Sequence, residues 1–311
     1  MSPRILITPR SLTQAPSPDL VPLEKAGYEL VYGPGGRLPT ESELLQLVPG
    51  CVGWLAGVEI ISERVLRAAT ELKAISRNGT GIDNVPIILA QQLGIRVLRA
   101  EAANARGVAE LAICFALASL RHLPVLHLNL RQGQWKLIRG REICDREFGL
   151  IGCGAIGRMV AEMALGLGAR VAAFDPYPDK SFKPSGKFEW RSLDAVLSGA
   201  EILSLHCPPL PNGRPIIDHE ALSHIQMGCC LINTARGSLI DEGSLIEALD
   251  TGKLSTYATD VFSTEPPDPT SPLLRHERVI VTPHIGAFTD ESIRRATLKA
   301  VENLISALAR Q

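Results

Sequence analysis

The sequence predicts an α/β protein with two doubly wound parallel-sheet domains. One is flavodoxin-like, the other a Rossmann dinucleotide-binding fold. Three observations lead there. Apolar runs of strand length alternate with amphipathic runs of helix length, a pattern that calls for crossover connections and parallel strands. The strands come in two series, and a glycine fingerprint, Gly152-x-Gly154-x-x-Gly157, follows the first strand of the second series. A last amphipathic run comes after the second series is complete, so it has to return to the first domain.

The first series places strands at 4–8, 28–32, 51–55, 72–76 and 95–98, with helices at 17–26, 41–47, 62–69 and 85–93. A single long helix is expected near 108–131. The second series follows at 148–151, 170–175, 202–206, 230–233, 256–261 and 279–282. Residues 176–187, with Pro176, Pro178, Pro184 and Gly186, read as a loop. The closing amphipathic helix covers 289–308. The expected domains are therefore 1–99 with 286–311, a substrate domain, and 100–285, a dinucleotide domain. Two crossings, near 99–104 and 284–288, imply a hinge with a cleft between the domains.

At 311 residues the chain is long enough for two domains, and its 45% apolar and 21% charged content is that of a soluble globular protein. The net charge of −1 is spread along the chain, without a basic stripe for nucleic acid or a polybasic cluster for a membrane surface. The opening Met-Ser-Pro-Arg-Ile-Leu-Ile-Thr-Pro reads as a strand, not a signal peptide. The most apolar stretch, 108–120, is too short for a membrane span and carries Glu110. The seven Cys form no Cys-x-x-Cys. Cys114, Cys153, Cys207, Cys229 and Cys230 lie in apolar contexts, which points to buried thiols in a reducing cytoplasm and to no metal site.

The fingerprint has a mechanical reading. Gly152 allows the tight turn out of the strand, Gly154 lets a pyrophosphate approach the backbone, and Gly157 lets the helix pack close to the sheet. Ala155 and Ile156 open the helix, whose free N–H groups and positive dipole end suit an anion. Asp175, 18 residues after Gly157, can accept both ribose hydroxyls of an adenosine. Its carboxylate repels a 2′-phosphate, so NAD is favoured over NADP. Arg158, on the helix after Gly157, is expected to meet the pyrophosphate. The plainer reading is a tight βα turn without a ligand.

Three residues follow strands of the second series at ends that face the same way: Arg236, Glu265 and His284. Together they have a coherent task. A guanidinium forks onto a carboxylate, an imidazole exchanges a hydroxyl proton, and a carboxylate beside the imidazole fixes its tautomer. With NAD that amounts to oxidation of a 2-hydroxy acid. Singly, each has a duller reading: a surface arginine, a loop glutamate before Pro-Pro, a histidine capping a turn. His206, before Cys207-Pro208, is expected to touch the cofactor.

A series of motifs then resembles one family over essentially the whole chain. These are Arg77-Asn-Gly-Thr-Gly-Ile-Asp-Asn, Asn104 with Val108-Ala-Glu, the glycine fingerprint, His206-Cys-Pro-Pro, Asn233-Thr-Ala-Arg-Gly, Asp260-Val-Phe with Glu265-Pro266, and Pro283-His-Ile-Gly-Ala. The chain is similar to the D-isomer-specific 2-hydroxyacid dehydrogenases. The resemblance implies that Arg236 holds substrate, His284 is the acid/base and Glu265 its partner. It implies that backbone around Asn78, Gly79 and Thr80 meets the substrate carboxylate. It further implies that Thr234, Ala235 and Asp260 line the nicotinamide, with Cys207, Pro208, His284 and Gly286 also at the cofactor, and that a homodimer forms through the helix near 108–131.

The departures from the family pattern are informative. The formate branch is expected to have Gln where Glu265 stands. Phosphoglycerate enzymes are expected to place an Arg near Ala56, where this chain has no cation and has Glu59 close by, although Arg77 could compensate. With the sequence ending at Gln311, no regulatory extension of the longer phosphoglycerate enzymes is expected, and Gly107 stands where the family usually has Ser. The expectation is an NAD-dependent enzyme of a small D-2-hydroxy acid, phosphoglycerate dehydrogenase-like or hydroxypyruvate/glyoxylate reductase-like. The alternative is an NADH-sensing corepressor-like protein of the same fold.

Overall fold

The computed structural model describes residues 2–185 and 187–309. Met1, Gly186 of the expected 176–187 loop, and residues 310–311 of the expected 286–311 segment lie outside them. The chain divides into two compact units, Met1–Asn104 with Ala287–Gln311, and Ala105–Gly286.

In the first unit β1 (Arg4–Ile7), β2 (Glu29–Tyr32), β3 (Cys51–Ala56), β4 (Ala74–Arg77) and β5 (Arg96–Arg99) form a parallel sheet in the order β2-β1-β3-β4-β5. This is the flavodoxin-like winding, whose strand order reverses between β1 and β3. One face is covered by helix Asp290–Ala309. Its Ala300, Val301 and Leu304 are buried with Ile5, Ile7 and Leu55. Helices Glu41–Leu47, Glu63–Ala68 and Ile87–Gln92 cover the other face, over Leu6, Trp54 and Ile75. Burial on both faces explains why these strands read as continuous apolar runs; each fully buried Leu or Ile is worth about 1.5–3 kcal/mol.

In the second unit β6 (Glu147–Ile151), β7 (Arg170–Phe174), β8 (Phe188–Trp190), β9 (Ile202–Leu205), β10 (Cys229–Asn233), β11 (Leu254–Thr259) and β12 (Val279–Val281) run parallel. Their order is β12-β11-β10-β9-β6-β7-β8, so the winding reverses between β6 and β9. Two doubly wound parallel sheets is the fold class the sequence predicts.

Three expectations need correction. The edge strand β8 was not anticipated. Its signal was the alternation Phe188-Glu-Trp190, whose rings stack edge-on with each other and with Phe182 at 5.2 and 5.1 Å. The single helix over 108–131 is two helices, Ala105–Leu120 and Leu123–Arg131, bent by 62°. Pro124 has no N–H and disfavours helical geometry before it, and the chain turns at His122, which is left-handed at φ 51°. Cys114, expected to be buried, is exposed on the first of these helices, because apolar neighbours in sequence do not decide which helix face a residue occupies. All seven cysteines are unpaired. Among the described residues no single helix is long and apolar enough to cross a membrane.

Candidate active site

The site residues of the second unit sit on loops that leave the carboxyl ends of its strands. After β6 the chain turns at Gly152, where φ is +91° and a Cβ would come within 2.6 Å of the His206 carbonyl carbon. Only glycine fits there. Helix Ala155–Gly166 then starts at Gly154 without any side-chain cap, so its first N–H groups remain available to an anion. A Cβ added at Gly154 would meet nothing within 4 Å, which leaves the space a pyrophosphate needs.

Asp175, after β7, lies against this turn. It accepts the Cys153 N–H at 2.8 Å and the Tyr177 N–H at 2.9 Å, leaving further lone pairs for ribose hydroxyls. Arg158 Nε donates to the Cys153 carbonyl of the glycine turn at 3.2 Å. Its Nη1 pairs with Asp179 at 3.0 Å and its guanidinium lies 5.5 Å from the Phe182 ring centroid, holding the loop beyond Asp175. At the end of β9, His206 contacts Ser204 Oγ through Nε2 at 2.9 Å while Nδ1 is buried without a partner among the described residues. Burial pushes its pKa down to about 3, so the ring is neutral. Burial likewise raises Cys207 to about 11 and Cys153 to about 12, which leaves both thiols protonated and unreactive near neutrality.

The second cluster lies beyond β10, β11 and β12. Asn233, fully buried at the end of β10, accepts the Ala235 N–H at 3.0 Å and donates to the Arg236 carbonyl at 2.8 Å. Thr234 Oγ1 is buried with no partner among the described residues. Arg236 Nη1 donates to the Ala235 carbonyl at 2.7 Å. Gly237 then rests directly on the Phe262–Ser263 peptide, so closely that no Cβ fits. That peptide belongs to the Glu265 loop, and Glu265 Oε1 accepts the Phe262 N–H at 3.0 Å.

The other Glu265 oxygen, Oε2, is 2.7 Å from His284 Nδ1. A carboxylate can only accept, so the proton sits on Nδ1 and Nε2 is the unprotonated nitrogen of the neutral ring. Both side chains remain accessible, with His284 46% and Glu265 38% exposed. Burial raises the Glu265 pKa, but the hydrogen bonds from His284 and Phe262 and the charges of His284 and Arg236 outweigh it, and the net shift is downward. His284 is left-handed at φ 54°. The buried carboxylate of Asp260 clamps its loop, accepting Thr282 Oγ1 at 2.5 Å and the N–H groups of Ile285 and Gly286 at 2.7 Å each. The Asp260 carboxylate thus carries the histidine loop.

The structure therefore brings Arg236, Glu265 and His284 into one network. The charges agree with this geometry: the arginine and the histidine both stabilise the ionised glutamate. Among the described residues no group of three or more His, Cys, Asp or Glu could hold a metal ion. Residues 113–286 match the model of the NAD-binding domain of the D-isomer specific 2-hydroxyacid dehydrogenases, more than half of the chain. The chain belongs to that family. Its NAD-binding domain is the second unit's fold, and the open space at Gly154, the uncapped helix and the unpartnered Thr234 hydroxyl fit the dinucleotide.

Among relatives, the D-3-phosphoglycerate dehydrogenase of Mycobacterium bovis is 37% identical over 274 residues, 87% of this chain and 52% of that protein. The chain thus spans about half the length of the curated phosphoglycerate dehydrogenases it matches. The hydroxypyruvate reductase of Thermotoga maritima is 36% identical over 273 residues, 86% of this chain and 88% of that one. A solved NAD+-bound 3-phosphoglycerate dehydrogenase of Entamoeba histolytica superposes with a TM-score of 0.82 at 27% identity, covering 99% and 96% of the two chains.

The remaining expected residues lie in the first unit. Asn78, Gly79 and Thr80 form the loop after β4. Asn78 N–H donates to the Ala56 carbonyl at 2.9 Å, and Thr80 Oγ1 to Asn104 at 2.9 Å. The sequence reading missed Asn233, Gly237 and Thr282 as parts of the site. The signal for Asn233 was available: an Asn at a strand end favours an Asx turn.

Proposed function

We propose that the protein is an NAD-dependent oxidoreductase that interconverts a small D-2-hydroxy acid and its 2-oxo acid. The observation that carries this reading is the 2.7 Å contact between His284 and Glu265 in one network with Arg236. NAD, when bound, supplies the hydride acceptor. Arg236 grips the substrate carboxylate and polarises the adjacent carbon–oxygen bond. His284 Nε2 takes the hydroxyl proton during oxidation and returns it during reduction. Glu265 keeps the ring in the required tautomer and stabilises it when charged. Asn78, Gly79 and Thr80 are the substrate-side loop of the first unit, and Thr234, Ala235, Asp260 and Gly286 border the nicotinamide.

Hydroxypyruvate- or glyoxylate-type acids are favoured over phosphoglycerate. Arg77, the cation that could replace an arginine near Ala56, is 6% exposed and donates to the carbonyls of Ala56, Gly57 and Gly81. A panel of 2-oxo acids with NADH, including phosphorylated, sulfonated and unsubstituted members, tests both statements. Turnover of the unsubstituted acids is expected; no NADH oxidation by any acid removes the enzyme reading, and a preference for the phosphorylated acid removes the substrate class.

A homodimer belongs to the same reading. Leu117, Leu123, Leu128, Leu130, Trp135 and Leu137 are exposed along the bent helix pair and the segment after it, and exposed apolar side chains gathered in this way suit a protein interface. Sedimentation at twice the chain mass is the expected result, and a monomer would contradict it.

A further inference from the structure

We propose that Asn233 is a positioning residue for Arg236, setting the direction in which the guanidinium meets a carboxylate. This deepens the reading of the site given above and rests on it.

Asn233 is the last residue of β10 and is fully buried. Its carbonyl and both polar side-chain atoms have partners in the loops around the site and on β11, where the side-chain nitrogen also lies 3.5 Å from the Tyr257 hydroxyl. Its backbone carbonyl accepts the Asp260 N–H and the Thr259 hydroxyl, each at 3.1 Å, which ties the end of β10 to the end of β11. Its side-chain oxygen accepts the Ala235 N–H at 3.0 Å, and its side-chain nitrogen donates to the Arg236 carbonyl at 2.8 Å. The two side-chain bonds therefore grip the peptide units on both sides of Ala235 and Arg236. Arg236 leaves this grip with extended backbone, φ −147° and ψ 142°, and the next residue, Gly237, rests on the Phe262–Ser263 peptide.

An arginine side chain has several rotatable bonds, and a forked grip on a carboxylate works only when the fork faces it. Two constraints hold its base here: the carboxamide from below, and the Gly237 contact from the side. No other amino acid reproduces the carboxamide's role. Aspartate is the same shape but would set a carboxylate oxygen against the Arg236 carbonyl. Serine can still accept from the Ala235 N–H but is too short to reach the Arg236 carbonyl. A displacement of about 1 Å in a group of this kind costs up to about a hundredfold in rate.

The test compares Asn233→Ser, Asn233→Asp, Arg236→Ala and the double variant Asn233→Ser/Arg236→Ala. The readouts are KM for the best 2-oxo acid of the panel, inhibition by oxamate, NADH binding by fluorescence, and thermal midpoint. Expected for Asn233→Ser is a rise in KM and in the oxamate inhibition constant of about tenfold or more, with NADH binding within about twofold of the parent. In the Arg236→Ala background the serine substitution should add almost nothing, since a group that acts through the arginine has no further effect once it is gone.

Asn233→Ser at parental KM overturns the proposal. So does a serine effect of equal size in the Arg236→Ala background, or a loss of folding or NADH binding in both Asn233 variants, each of which marks a merely structural role. Arg236→Ala at parental KM overturns the reading of the site itself, and the proposal with it.

Discussion

Arg77 ends β4 in the first unit, and Arg236 follows β10 in the second, yet the two guanidinium groups have different surroundings. Arg77 is buried and turned onto the carbonyls of Ala56, Gly57 and Gly81. Beside it Glu59 is 1% exposed, takes hydrogen bonds from Thr8 Oγ1 and the Gly57 N–H, and has a second oxygen with no partner among the described residues. Trp54 closes this cluster through its indole N–H on Thr8 at 2.8 Å. In the second unit Glu265 and His284 are exposed and Arg236 is partly buried, and the buried polar residues, Asn233 and Asp260, hold the loops that carry them. Arg77 thus serves its own frame, whereas the second cluster is the one we propose to meet a ligand. An ionisable residue at a strand end is a functional candidate only when its hydrogen-bonding capacity is left over after the fold has used it.

The largest expected effect comes from removing the outward imidazole. His284→Ala should lower kcat by at least about a hundredfold while NADH still binds with parental affinity. Steady-state kinetics and NADH fluorescence check this, and a variant with substantial turnover would end the assignment of His284 as the acid/base. The matching cut in the first unit should show the opposite balance. Arg77→Met leaves several buried carbonyls without a donor and should cost about 2–3 kcal/mol of stability, seen as a lower thermal midpoint, with kcat little changed. A normal midpoint with collapsed turnover would show that Arg77 works on substrate, and the contrast between the units would fail.

The smallest expected effect is a difference in the response to acid. His206 has its folded pKa lowered from 6.5 to about 3, so the unfolded chain binds the extra proton first. Its contribution to stability is complete above about pH 6.5 and is lost as pH falls toward 3, at up to about 1.4 kcal/mol per pH unit. Glu59 is shifted upward, chiefly by burial. Its contribution has the other sign: present below its unfolded value of 4.5 and lost as pH rises through the folded one. Hydrogen exchange between pH 6.5 and 4.5, corrected for intrinsic rates, should therefore show protection falling at β9 while β3 holds or gains. His206→Gln should flatten the fall at β9. Equal responses at both strands would deny the difference.

Much of this architecture was legible in the chain. The glycine turn was readable because each glycine answers a steric demand made by neighbours only a few residues away. The alternation of strands and helices followed from apolar runs bounded by turn residues. The helix break at His122 was missed although Pro124 announced it, because an apolar pattern was allowed to run through a proline. Strand β8 was missed because three residues give too short a period to weigh against the prolines before them. The further partners of Arg158, Asp179 and Phe182, were not legible, because they lie more than 20 residues further along and become neighbours only when the loop folds back.

The sequence by itself determined the two parallel sheets and the dinucleotide turn, which depend on local sterics and periodicity, and its motif order singled out Arg236, Glu265 and His284 as candidates. Only the tertiary structure decided which partners each charged group takes. It turned Arg77 inward, made Asp260 the clamp of the histidine loop and Asn233 that of the arginine loop, and set Glu265 2.7 Å from His284. The reason is physical: a residue's identity states what hydrogen bonds it can make, while the partners that take them up come from strands distant in sequence.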